Sequence, residues 1–301
     1  MAQNLPALHE QLGELIDAGR PSISFEFFPP KDDAAEAVLW QAIRRLEPLM
    51  PTFVSVTYGA GGSSRDRTTR ITQRIAQDST LTPMAHLTCV GASRAELRQV
   101  IAEYADAGVR NVLAIRGDPT AGPRAPWTPH PGGLDYAVEL VRLVRELGRF
   151  SVGVAAFPDV HPASSDLEAD ARVLAMKADA GAQFAITQMF FTEDAYFRLV
   201  ERAAAHGSTI PIIPGIMPVT NVKQINRIAE LSGVALPAPV VERLHAVADD
   251  PAAVREVGVE IATELSTRLL AGGAPGLHFI TMNRSTATLD VFTALGLTAR
   301  A

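Results

Sequence analysis

A single acidic residue stands out in an otherwise apolar stretch. Glu26 lies in Ser22-Ile23-Ser24-Phe25-Glu26-Phe27-Phe28-Pro29-Pro30, which reads as a buried strand. Flanked by three phenylalanines, its carboxylate is costly to bury without a partner. Burial alone would raise its pKa toward the range in which an acid gives up a proton near neutrality. Pro29 and Pro30 cannot continue a sheet ladder, so the strand must end just past Glu26 and release the chain into a turn. The competing reading of the same residues is a paired structural carboxylate on an edge strand.

Other chargeable or polar groups fall at the ends of similar apolar runs. Thr57 closes a second run, His86 and Thr88 a third, Arg116 and Asp118 a fourth, Gln188 a sixth, and Asn283 with Arg284 an eighth; Asp159 and His161 follow the fifth. Glu26 and Asp118 could form the acid and base pair of a glycoside hydrolase. With only 2 Trp and 4 Tyr, the chain offers few aromatic platforms for sugars, and the remaining polar set suits flat heterocycles better. His86 and His161 lack a second histidine at helical spacing or a neighbouring cysteine, which favours hydrogen-bonding roles over metal ligation. Asp170 and Lys177 are seven apart on one expected helix, on the same face but too far apart for a direct pair. Facing a ligand they could hold a ribose and a phosphate; facing solvent they are ordinary surface charges.

These groups need elements to position them. Apolar periodicity predicts a leading helix over 5–18, then strands over 22–28, 53–58, 83–90, 111–117, 151–157, 184–191, 210–215 and 277–282. Between them lie helical patterns over 34–49, 65–77, 93–107, 136–147, 165–181, 193–205 and 221–232, two more over 240–248 and 252–271, and a last one ending near 295. Ser93-x-x-Glu96 and Ser165-x-x-Glu168 read as capping boxes, and Thr192 as a cap. Gly59-Ala60-Gly61-Gly62 releases the second strand. Residues 119–134 are too rich in Pro and Gly for regular structure, and read either as a lid or as a tolerated insertion. Eight strands alternating with helices at about 30-residue spacing give a (β/α)8 TIM barrel with a short N-terminal helix and extra helices before strand eight. An open doubly wound sheet is the runner-up, but no Gly-x-Gly-x-x-Gly turn follows an early strand. No linker divides the chain, so 1–301 is expected to be one barrel domain.

Composition narrows the function classes. At 301 residues with 47% hydrophobic and 20% charged side chains the chain is an ordinary globular protein. A net charge of -6 argues against nucleic acid or anionic membrane as a partner. The lone cysteine, Cys89, excludes an internal disulfide and fits a reducing compartment. No secretory signal and no apolar run of membrane-spanning length is present, which gives a cytoplasmic expectation.

Collinear motifs carry a further expectation. Phe25-Glu26-Phe27-Phe28-Pro29-Pro30, Ser55-Val56-Thr57-Tyr58-Gly59-Ala60, Ala85-His86-Leu87-Thr88-Cys89, Arg116-Gly117-Asp118, Asp179-Ala180-Gly181-Ala182, Ile186-Thr187-Gln188 and Pro214-Gly215-Ile216-Met217-Pro218 span nearly the whole chain. Together they make it resemble the methylenetetrahydrofolate reductase family of bacterial type. The resemblance implies a cytoplasmic, homo-oligomeric barrel that binds FAD and reduces 5,10-methylenetetrahydrofolate to 5-methyltetrahydrofolate with NADH or NADPH, feeding methionine synthesis. It implies that Glu26 protonates folate N10 to open the ring to an iminium, that Asp118 holds the pterin near the flavin, and that Gln188 contacts folate and nicotinamide. Gln224 and Arg284 correspond to folate contacts. Thr57, His86, Ile115, Arg116, Gly117, Asp118, Tyr136, Ala137, Ala155, His161, Asp170 and Lys177 correspond to flavin contacts. Hydride transfer through the flavin would be ping-pong.

Two positions depart from the family pattern: Ile228 stands where a relative has a substrate-stacking phenylalanine, and Phe157 where it has a tyrosine. The extra regulatory domain of eukaryotic relatives has no counterpart here, so no adenosylmethionine control is expected. Two alternatives remain open at this level: direct hydride transfer from NADH without flavin, and a barrel that binds folate or flavin without catalysis.

Overall fold

In the computed structural model, residues 7–58, 65–119 and 121–298 are described. The strands β1 (Ser22–Phe27), β2 (Phe53–Val56), β3 (Pro83–Thr88), β4 (Asn111–Ile115), β5 (Ser151–Ala156), β6 (Phe184–Met189), β7 (Ile212–Ile216) and β8 (Gly276–Ile280) pair in sequence order and close into a barrel. All the pairings are parallel, including the closing pair β1–β8. Around the barrel run α1 (Leu8–Asp17), α2 (Asp33–Leu46), α3 (Arg65–Asp78), α4 (Arg94–Asp106), α5 (Ala137–Leu147), α6 (Leu167–Asp179), α7 (Glu193–Ala205), α8 (Val222–Ser232), α9 (Ala238–His245), α10 (Pro251–Ala271) and α11 (Ser285–Ala294). The expected barrel, its leading helix and the additional helices before the last strand are all present. None of the described helices is long and apolar enough to cross a membrane.

Alternation along each strand sorts side chains into two compartments. On β1, Phe25 and Phe27 are fully buried in the layer between strands and helices, together with Leu39, Ile43, Val54, Val56, Leu277 and Phe279. Each such aromatic contributes roughly 1.5–3 kcal/mol through the apolar area it removes from water. A second cluster fills the inside: Leu8 and Leu12 of α1 pack with Phe53, Met84, Leu113, Phe184, Ile186 and Ile213. Helix α1 touches β1 and β5, on opposite sides of the ring, and so plugs the amino-terminal end of the barrel. A third cluster joins α8, α9 and α10 to the exits of β6 and β7.

The local start signals are met at α4 but not as expected at α6 and α7. Ser93 opens α4 with a reciprocal box: its hydroxyl accepts from Glu96 N, and Glu96 accepts from Ser93 N. At α6, however, the cap is Asp166 and not Ser165. The Asp166 carboxylate accepts from Ala169 N at 2.7 Å, and Ser165 merely donates to that carboxylate. A carboxylate suits the helix's partial positive end better than a hydroxyl, and Asp166 already has extended backbone. Thr192 stands at the cap position of α7 without a side-chain bond. Except for β7, which is shifted to 212–216 from the expected 210–215, strands end one or two residues before their apolar runs do, although Thr57 N still reaches Phe27 O and Val90 N still reaches Arg116 O. The expected glycine turn at 59–62 lies outside the described residues.

Closure depends on one close approach. Ser22 pairs with Gly276, and a Cβ at Gly276 would lie 2.1 Å from Ser22 O and 2.7 Å from Ser22 N. Gly276→Ala must therefore push β8 away from β1. The expected outcome is a loss of about 1–3 kcal/mol in the unfolding free energy by urea titration, with the barrel retained by circular dichroism.

Candidate active site

The compartment inside the barrel changes character from one end to the other. Where β1 carries Phe25 and Phe27 outward, it turns Ser24 and Glu26 inward, and the register sets Glu26 beside Ser55 and Ser24 beside His278. His278 is 1% exposed, with its ring stacked on Phe53 at 5.5 Å. Its Nδ1 lies 2.7 Å from Ser24 Oγ, and its Nε2 lies 3.3 Å from Glu26 Oε2 and 3.4 Å from Ser55 Oγ. The ionised Glu26 can only accept, so Nε2 donates to it, and in the neutral ring Nδ1 then accepts from the Ser24 hydroxyl, which also lies 3.4 Å from Leu277 O. On the other side, His86 Nε2 is 3.6 Å from the same Glu26 oxygen.

This trio corrects the expectation for Glu26. Burial does push its carboxyl upward, and it is the largest single influence. The hydrogen bond from His278 and the charges of His86 and His278 outweigh it together, so the carboxyl lies below the ordinary range. A buried carboxylate with two histidines against it is stabilised in its ionised form. His86 is driven the opposite way: burial, opposed by Glu26 and reinforced by the charge of His278, lowers it to about 4.

The strand exits fix this group in place. Because Pro29 and Pro30 offer no N–H, the ladder cannot run on, and side chains from the β8 exit replace it. Asn283 takes both backbone groups of Phe28, accepting from its N at 2.8 Å and donating to its O at 2.9 Å. Thr281 Oγ1 donates to Glu26 O at 2.7 Å. Met282 and Asn283 both adopt left-handed backbone, at φ 50° and 58°, an uncommon conformation for residues other than glycine. The turn that carries the Asn283 amide to β1 is therefore bought with local strain.

A rim of charge lies at the exits of β4 and β5. Gly117 sits at φ 81°, and a Cβ there would meet Val90 Cγ1 at 2.5 Å, so only glycine lets the chain turn tightly between Arg116 and Asp118. Lys177, in the last turn of α6, is buried and donates to Ala155 O at 2.9 Å. Burial, with a further push from the charge of Arg116 and against that of Asp170, lowers its ammonium to about 8. Asp170 accepts from His161 N at 2.9 Å and from Ser164 Oγ at 2.5 Å, holding the loop that follows β5. The His161 ring meets Phe157 edge-on at 4.6 Å and is lowered by burial and by the charge of Arg116. Neither Arg116 nor Lys177 forms an ion pair among the described residues; the Nε of Arg116 reaches only Gly117 O, at 3.4 Å.

The remaining expected residues fall into two groups. Thr57, Ile115 and Gln188 sit at the exits of β2, β4 and β6, and the Gln188 side chain accepts from Met189 N. Gln224 and Arg284 lie apart from the rim, lining a cavity of 630 Å³ with Thr220, Asn221, Arg255 and Thr281. Ala137 is buried in the first turn of α5, but Tyr136 before it is 59% exposed. Ile228 packs with the cluster of α8 to α10. The sequence reading passed over His278. The signal was available: an ionisable group inside Gly276-Leu277-His278-Phe279-Ile280 is the same anomaly as Glu26, on the strand that closes against it. Cys89 is buried, its thiol pushed up to about 12 by burial, which leaves it structural.

A parallel barrel with its ionisable groups gathered at the carboxyl ends of the strands defines an enzyme of the (β/α)8 class. The model of the methylenetetrahydrofolate reductase family matches residues 11–296, and the chain belongs to that family. It is 40% identical over 298 residues to the 5,10-methylenetetrahydrofolate reductase of Pectobacterium carotovorum subsp. carotovorum, covering 98% of this chain and 96% of that one. Against the protein of that name from Escherichia coli strain K12 it is 38% identical over 296 residues, with 98% and 97% covered. A protein of Clostridium thermocellum described as binding two copies of 5-methyl-5,6,7,8-tetrahydrofolic acid shares the fold, with a TM-score of 0.63 at 14% identity over 95% of this chain and 98% of its own. The protein is therefore an oxidoreductase of folate metabolism.

The buried histidine gives the site a pH signature. His86, near 4 when folded against 6.5 as the ordinary value, takes up its proton only on unfolding between those limits, so stability is full above 6.5 and falls toward 4. Glu26, depressed below 4.5, adds stability above that value and loses it as pH falls further, so both groups act in the same direction. The His86 contribution is on the order of 3 kcal/mol across the window. Urea unfolding at about pH 7.5 and about pH 5 should show a smaller drop in His86→Asn than in the unaltered protein.

Proposed function

We propose that the protein reduces 5,10-methylenetetrahydrofolate to 5-methyltetrahydrofolate with NADH or NADPH, using bound FAD in a ping-pong cycle that feeds methionine synthesis. Residues 1–301 are read as one catalytic barrel domain, cytoplasmic and homo-oligomeric. The observation that carries the reading is the pairing of a sheltered carboxylate, Glu26, with two cations at the rim, Arg116 and Lys177, that form no ion pair among the described residues.

The residues at the mouth suit a flavin dinucleotide. Arg116 and Lys177 offer positive charge to a diphosphate, and the buried His86 Nε2 and Thr88 Oγ1 have no hydrogen-bond partner among the described residues. Thr57, His86, Ile115, Arg116, Gly117, Asp118, Tyr136, Ala137, Ala155, His161, Asp170 and Lys177 are the residues assigned to holding it. Bound FAD supplies hydride exchange between the nicotinamide and the folate. Gln224 and Arg284 bind the folate through the cavity they line, while Asp118 and Gln188 orient the pterin.

Glu26 acts as the acid at folate N10. In the ground state it is ionised and accepts from His278 Nε2, so it takes up a proton from solvent before it delivers one to N10. Ser24 fixes the opposite ring nitrogen, which keeps His278 aimed at the carboxylate. Protonation of N10 breaks its bond to the methylene carbon and leaves an iminium at N5, the form that accepts hydride. Seating the substrate expels water from the mouth, which strengthens the burial effect on Glu26 and favours its protonated form at the moment of transfer.

Glu26→Gln keeps the shape and removes the acid. The expected outcome is folate reduction lowered by at least about 100-fold, with folate binding retained and bleaching of the flavin absorbance by NADH unaffected. Undiminished folate turnover in the variant would assign the proton donor elsewhere. A colourless protein whose activity ignores added FAD would instead favour direct transfer from NADH.

A further inference from the structure

We propose that Trp127 is a positioning residue that holds the Arg116 guanidinium at the mouth for the diphosphate of a dinucleotide, FAD in the reading above, on which this inference rests. The Arg116 guanidinium carbon lies 4.8 Å from the centroid of the Trp127 ring, in cation–π contact. Arg116 is partly buried, and among the described residues it has no carboxylate partner. An arginine held by a carboxylate is fixed but neutralised, whereas one held by an aromatic face is fixed and keeps its charge and its terminal N–H groups for a ligand.

The loop that carries Trp127 is built to present it. Gly122 N bonds Pro119 O and Ala125 N bonds Gly122 O, so the first half is folded into consecutive turns. The second half is fastened to the exit of β3 by the bridge between Ser93 and Gly133 and by Arg94 N to Gly132 O. A Cβ at Gly133 would meet Ala92 O at 2.6 Å, so this end lies tightly against its neighbour. Among the described residues the buried Trp127 Nε1 has no hydrogen-bond partner, so it is the face of the indole that the contact uses. Phenylalanine should then serve nearly as well as tryptophan, while leucine, of comparable apolar character but without a π face, should not.

FAD and, separately, NADH are titrated into the purified protein freed of any carried flavin, for the unaltered chain and for Trp127→Phe and Trp127→Leu. Thermal midpoints and far-ultraviolet spectra confirm that each variant is folded. Trp127→Leu is expected to weaken FAD binding about three- to tenfold and to make it less sensitive to salt, with Trp127→Phe close to the unaltered protein. With Trp40→Phe removing the other tryptophan, Trp127 emission is expected to be quenched as FAD binds. Equal FAD affinity in the leucine variant, or equal loss in folded leucine and phenylalanine variants, overturns the proposal while leaving flavin binding intact. Weakening confined to NADH overturns the assignment to FAD. Failure of the unaltered protein to bind FAD in any amount removes the flavin reading and this inference together.

Discussion

The contact between Glu26 and His278 is the constraint around which the mouth of the barrel is arranged. A carboxylate taken out of water costs several kcal/mol unless a partner and hydrogen bonds replace what water supplied. Here the partner comes from the strand that closes the ring, and a serine from the first strand contacts that partner's other ring nitrogen. Glu26 and His278 lie 252 residues apart in the chain. Their meeting requires barrel closure, so the proposed acid and the fold share a seam.

That seam explains features which look unrelated one at a time. The close approach at Gly276 seals the same seam where the two strands begin, while the proline pair that halts β1, the strained turn through Met282 and Asn283, and the Thr281 hydroxyl on the Glu26 carbonyl bring the two strand exits together. The interior divides accordingly. Its amino-terminal end is filled by Leu8, Leu12, Phe53 and Phe184, which supply stability. Its carboxyl-terminal end spends some of that stability on Ser24, Ser55, His86, His278 and Glu26. Barrels of this architecture generally divide the labour between their two ends in this way.

The rim follows a different logic. Asp170 is committed to ordering the loop after β5 through His161 and Ser164, and Lys177 is buried with a backbone carbonyl as its partner. Arg116 rests on an indole. Positive charge is thus fixed in place with little of it cancelled, which suits a site for an anionic, flat ligand and does nothing obvious for stability. The chain belongs to the methylenetetrahydrofolate reductase family, and a polar mouth of this kind is compatible with that membership.

Much was legible in the residues alone. Eight apolar runs alternating with helical patterns specified the barrel, because strand and helix periodicities are local properties of the chain. Glu26 was conspicuous because an acid among phenylalanines conflicts with its surroundings. The cap of α6 was misplaced by one residue, since Ser165 and Asp166 both satisfy the same local rule and only backbone conformation separates them. The sense of the Glu26 pKa was also decided elsewhere: burial, which sequence can suggest, raises it, while two histidines on β3 and β8 lower it by more. Which side chains meet across the ring depends on register and closure. Those are set by the packing of the whole barrel, and no local pattern encodes them.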